Sequence, residues 1–158
     1  MTPFYTLIVA LSLGQTAATA IEAPQAAIVR MTNEFRQSNR MGAINSSKKL
    51  MEIAQAHADN MARQDKYGDS DRNGHVLDRK DMKDRLMYGG YKYRAAGENV
   101  AMSQGMSDPV GVAMDGWRKS SGHRANMLGK DYTEMGAGVA QSKSGKWYFV
   151  QVFGKPAE

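Results

Sequence analysis

Apolar positions recur at helical spacing through the first half of the chain and turn to alternating and continuous runs in its last quarter. Ile28, Met31 and Phe35 mark one face of a helix expected from near Pro24 to Asn39. After a turn at Met41-Gly42-Ala43-Ile44-Asn45, Ser46 or Ser47 can cap a second helix, because a hydroxyl there accepts from an orphaned backbone N–H. Leu50, Ile53, Ala54, His57, Ala58 and Met61 give that helix the most regular stripe in the chain. Asp65 to Gly74 is polar and reads as loop. Asp69, Asp71 and Asn73 alternate there as in a calcium loop, but Lys80 stands where the twelfth-position glutamate belongs, so a plain surface loop is expected. A short helix follows over Asp81 to Tyr88, stopped by Gly89-Gly90, and Glu98 to Met102 reads as a short strand. Asp108-Pro109 opens a helix with the stripe Val110, Ala113, Met114 and Trp117, which Ser120 ends.

The C-terminal part has strand character. Met135 to Ala140 and Lys146 to Phe153 form a hairpin around Ser144-Gly145. The last strand is apolar on both faces, so each face needs a cover. Gly136 and Gly138 point to close approach of another element. Helices first and paired strands last argue for an α+β fold, an antiparallel sheet packed between helices.

The chain of 158 residues is one ordinary domain. Its net charge of +5 is spread among acids rather than concentrated, and no basic block is interleaved with stacking aromatics. Nucleic acid is therefore not an expected partner; anionic envelope polymers or lipid are compatible. The absence of cysteine removes disulfides, thiolate catalysis and sulfur-bound zinc. Leu7 to Leu13 is a short apolar run, too short for a stable span, and Ala18-Thr19-Ala20 is a small-x-small site. A signal peptide over residues 1–20, cleaved after Ala20, and a domain over residues 21–158 are expected, with a secreted, periplasmic or extracellular location and a monomeric chain.

Three histidines carry the candidate chemistry. His57 lies on an apolar helical stripe and reads as a packed, hydrogen-bonded core residue. His75 and His123 each follow a glycine in polar connections, where functional groups are commonly placed. Glu98 stands beside an apolar strand and needs a partner if buried; a histidine could supply one. Two neutral imidazoles and a carboxylate would alternatively leave an open position on a divalent ion. Ser120 and Ser121 precede His123, but no Gly-x-Ser-x-Gly elbow accompanies them.

Taken in order, Asn33-Glu34-Phe35-Arg36, Ala54-x-x-His57-Ala58, Gly74-His75-Val76-Leu77-Asp78, Asp84-Arg85, Gly97-Glu98-Asn99-Val100-Ala101 and Trp117-x-x-Ser120-x-Gly122-His123-Arg124-x-Asn126 resemble the CAP superfamily. That is the family of cysteine-rich secretory, antigen 5 and pathogenesis-related proteins, here in its bacterial SCP-like branch. Met135 to Val139 and Tyr148 to Gly154 complete the order. The resemblance implies a three-layer α-β-α sandwich with a mainly antiparallel central sheet. It also implies a cleft grouping His75, Glu98 and His123, with support from Ser120, Arg124 and Asn126. Zinc or another divalent cation would sit on His75 and His123. Ser120 stands where many relatives have a second cleft acid, and Asp115 or Glu134 could replace that acid only if the fold brings them near. Arg79 occupies a turn position where relatives often have glycine. The implied job is binding an extracellular lipid, envelope polymer or protein. A metal-assisted hydrolase or peptidase, and a structural envelope domain without a cleft ligand, are the alternatives.

Overall fold

The computed structural model describes residues 22–69 and 73–157, so the expected leader and Asp71 lie outside the described residues. Helix α1 runs over Pro24–Ser38, followed by a two-residue strand β1 at Asn45–Ser46 and helix α2 at Lys48–Gln64. Every position of the predicted α2 stripe is buried. Ser47 is the residue before the helix, yet its hydroxyl makes no capping bond, so packing rather than a cap holds this end. Helix α3, Met82–Tyr88, does have a reciprocal cap: Asp81 accepts from the Asp84 N–H and Asp84 accepts from the Asp81 N–H.

Strand β2 spans Tyr93–Gln104, longer than the apolar core of the segment predicts, because β4 pairs with it as far as Tyr93 opposite Pro156. Helix α4 covers Pro109–Lys119, its first turn capped by Asp108 accepting from the Gly111 N–H. Instead of a polar connection, Ser121–Met127 then forms a separate helix, α5. Strands β3, Glu134–Gln141, and β4, Lys146–Pro156, form the predicted hairpin, turned at Gly145.

The sheet order is β1-β3-β4-β2; β1 runs parallel to β3 and the other pairs are antiparallel. One face packs Leu50, Ala54, Met61 and Leu86 against Val100, Tyr148, Val150 and Val152. The other packs Ile28, Met114, Trp117 and Met127 against Met135, Phe149 and Phe153. The architecture is therefore three layers: α2 and α3, the sheet, then α1, α4 and α5. Helix α2 lies so near β3 that a Cβ on Gly136 would collide with the Leu50 backbone, and one on Gly138 with the Ala54 backbone. No side chain fits between these backbones.

α5 is held from outside. Arg36, 3 % exposed on α1, donates to the carbonyls of Met127, Gly129 and Gly42. It satisfies oxygens that a helix end leaves without partners. Burial lowers the Arg36 pKa, and no carboxylate among the described contacts offsets it.

Candidate functional site

Strand β2 is an edge of the sheet, and the two helical layers meet around it. From the α2–α3 side, the loop before Val76 places His75 against Glu98 of β2, with Nδ1–H donating to Oε1 at 2.9 Å. Glu98 is 5 % exposed. Nη2 of Arg85, on α3, donates to both its oxygens at 2.7 Å. The other end of that guanidinium, Nη1, donates to the carbonyls of His75 and Lys80. One arginine thus neutralises the buried carboxylate and ties down the loop that carries the histidine. Arg85 Nε is buried without a partner among the described residues.

His57 is a packed core residue, 2 % exposed. Its Nε2–H donates to the Gly74 carbonyl at 2.7 Å, next to His75 in the chain. Burial, then the Arg85 charge, push its pKa down, opposed by Glu98. It is a neutral prop under the His75 loop. Asn73 adds a second, accepting from the His75 N–H.

From the other layer, α5 brings His123 to face His75, with ring centroids 6.5 Å apart and planes inclined at 40°. Burial and the neighbouring His75 lower the His123 pKa. Asn126 donates to the Glu98 carbonyl and to Asn99 Oδ1. Asn99 donates to the His123 carbonyl and to Gln151 Oε1, and Gln151 donates to Thr32 on α1. Asn99, Gln151 and Thr32 are all fully buried. This amide chain runs from α5 across β2 and β4 to α1 on one face of the sheet and fixes α5 against it.

Of the expected supporting residues, Asn126 joins the cleft frame. Ser120 precedes α5 and lines the groove beside His123, with no capping bond from its hydroxyl. Arg124 turns the other way, donating to Asn39 and lying over the Phe35 ring. Asp115 pairs with Arg118, and Glu134 accepts from Tyr91, so neither takes the place of the missing acid. Sequence reasoning missed the roles of Arg85, Asn99 and Gln151. The signals available for them are a buried carboxylate needing a cation, and lone amides inside apolar runs.

Two hollows flank this frame. One, of about 410 Å³ between β2 and α4, is lined by Val100, Met102, Trp117, Ser120 and His123. The other, of about 520 Å³, lies between α2 and α3 beyond His57 and Arg85, with Lys49, Glu52 and Lys80 on its rim.

Glu98 takes up Nδ1 of His75 and leaves Nε2 as the ring nitrogen that can face a metal, the arrangement that orients a metal-binding histidine. Glu98 itself is consumed by Arg85. Among the described residues no group of three or more His, Cys, Asp or Glu could hold an ion. For His75 and His123 to share one cation, the rings, 6.5 Å apart between centroids, would have to close by about 1 Å at ordinary metal–nitrogen distances; the residues do not fit a centre with three or four protein ligands.

The family model described as the cysteine-rich secretory protein family, CAP, matches residues 29–153, and the chain belongs to this family. It is 30 % identical over 127 residues to YlbC, an uncharacterized membrane protein of Bacillus subtilis (strain 168), spanning 80 % of this chain and 33 % of that protein. An extracellular protein containing a SCP domain from Bacillus anthracis superposes with a TM-score of 0.68 at 23 % identity, over 84 % of this chain and 40 % of that one. For an outer surface protein from Borrelia burgdorferi the TM-score is 0.71 at 16 % identity, over 83 % and 91 %. The structure of NaASP2 with Zn2+ gives 0.52 at 16 %, over 82 % and 81 %. These structures share the fold; the chain spans a third of YlbC. Among the described residues no helix is long and apolar enough to cross a membrane.

Proposed function

We propose that this is an exported CAP-domain protein that binds an extracellular ligand at the cleft between His75 and His123. The observation that carries the reading is the pair of imidazoles from opposite layers, facing each other at 6.5 Å over a carboxylate that is already neutralised. A purely structural network has no need to leave the His123 imidazole lining a groove and the facing His75 side chain 34 % exposed. An extracellular lipid, an envelope polymer or a protein is the ligand class. Export is supported by the apolar run before Ala18-Thr19-Ala20 and by the extracellular and outer-surface proteins that share the fold. A divalent cation would be held by His75 and His123, where it would offer open positions to a ligand oxygen. The hydrolase reading is weaker, because Glu98 is bound through both oxygens and is not free to act as a base.

Zinc calorimetry on the purified protein tests the cleft. One zinc per chain, with binding lost in the His75→Ala/His123→Ala variant, is the expected result. Binding unchanged in that variant, or none in either protein, would remove the cation from the reading.

A further inference from the structure

We infer that the open end of β2 accepts an extended peptide as a fifth strand, with an apolar side chain seated in the groove between β2 and α4. Edge strands expose a row of backbone donors and acceptors that proteins usually cover or break up. Along β2 the covering is partial. The Glu98 carbonyl accepts from Asn126, and the Val100 carbonyl accepts from both Tyr67 and Trp117. Met102 has the same edge orientation two residues on, opposite Tyr148 as Val100 is opposite Val150. Among the described residues no side-chain hydrogen bond to its outer N–H or carbonyl is found. The segment Ala101-Met102-Ser103-Gln104-Gly105-Met106 also has no charge and no proline to deter pairing.

Independent observations point to the same place. Ser103 is 9 % exposed and lines the groove, yet its hydroxyl is buried without a partner among the described residues. Met102, Met106 and Val112 are each more than 40 % exposed, at 42 %, 49 % and 44 %. Met102 and Val112 line the groove and Met106 follows the end of the strand, an apolar concentration of the kind that marks recognition surfaces. The groove offers apolar walls for the alternate side chains of an added strand, while the strand edge supplies main-chain bonds. Because α4 forms the opposite wall, the occupant has to be a single narrow chain; a second copy would bring its own α4 to the same place. The neutral rim selects an uncharged side chain. His123 lines the same groove, so the inference rests on the cleft being a ligand site, and it names the partner class.

The test selects short random peptides displayed on phage against the purified protein. The best binder is resynthesised with a fluorescent label and N-methylated at successive amides. Strand addition predicts that alternate methylations each weaken binding about tenfold or more while the intervening ones do not. Met102→Pro should weaken binding similarly, since the outward N–H is dispensable to the fold. Val112→Asp, which leaves the strand untouched, should do the same, and Tyr88→Ser on the remote α3 surface should not. An empty selection, uniform tolerance of methylation, or full binding by both Met102→Pro and Val112→Asp would overturn the inference. So would self-association of the chain that Met102→Pro abolishes, which would assign the edge to a second copy. Peptide binding without zinc binding would keep this inference and reject the cation site; zinc binding without peptide binding would do the reverse.

Discussion

The two imidazoles that face each other across the cleft sit in opposite kinds of surroundings. His75 is locked by charge: a buried carboxylate on one nitrogen, with the same arginine holding both that carboxylate and the His75 carbonyl. His123 is placed by its backbone alone. Its carbonyl is gripped by Asn99, and its helix end is gripped by Arg36, while no hydrogen bond to its ring is found among the described residues. The difference teaches that the cleft has one rigid wall and one adaptable wall. The adaptable wall is the one that opens onto an apolar groove.

Breaking the rigid wall should cost most. Glu98→Gln leaves Arg85 buried without its counter-charge, with an expected loss of about 3 kcal/mol in urea unfolding. Adding Arg85→Met should recover a large part of that loss. His123→Ala, by contrast, should cost less than about 1 kcal/mol. Equal losses at Glu98 and His123 would erase the contrast between the walls.

Acid provides a second, smaller probe. His57 and His123 are both held below their ordinary value of 6.5, by burial first and then by Arg85 and His75 respectively. Below that pH the unfolded chain binds more protons at these sites than the native one does. Their contribution is thus complete above about pH 6.5 and shrinks as pH falls toward their native values. Urea midpoints should decline from about pH 7.5 to about pH 5.5, more shallowly in His123→Asn. A flat profile would contradict neutral histidines on both sides.

The smallest effect sharpens the picture of the His75 loop. Asp78 and Arg79 take left-handed φ values of 55° and 58° in the turn closed by the Leu77–Lys80 bridge. The Arg79 N–H is held by Asp69. Arg79→Gly should stabilise the protein by about 0.5–1 kcal/mol in the same unfolding assay, since glycine adopts this conformation without the Cβ clash. A loss of stability would mean that the arginine side chain contributes more than the turn costs.

Sequence pattern made α2 and the β3–β4 hairpin legible, because their burial follows a period that the residues themselves display. It did not reveal α5 as a helix. Ser121–Met127 contains a glycine, follows α4 directly and is secured by an arginine about ninety positions away. β1 was invisible for a related reason: its two residues are strand only because β3 lies beside them. His75, Glu98 and His123 stood out by residue type and by family order. The partner of Glu98 did not, since Arg85 sits on a separate short helix and nothing local links the two. Arg124 is adjacent to His123 in the motif, but helical rotation turns its guanidinium toward Phe35.

The chain of amides along one face of the sheet has a fixed polarity. Asn126 donates to Asn99, Asn99 to Gln151, Gln151 to Thr32, and Thr32 to the Ile28 carbonyl, all in one direction. Each amide has a distinct donor end and acceptor end, so reversing one link would set like ends against each other at both its neighbours. The row can exist whole or not at all. None of its members titrates, so the frame that sets the distance between the two walls is indifferent to pH even while His123, which it holds by the carbonyl, is not.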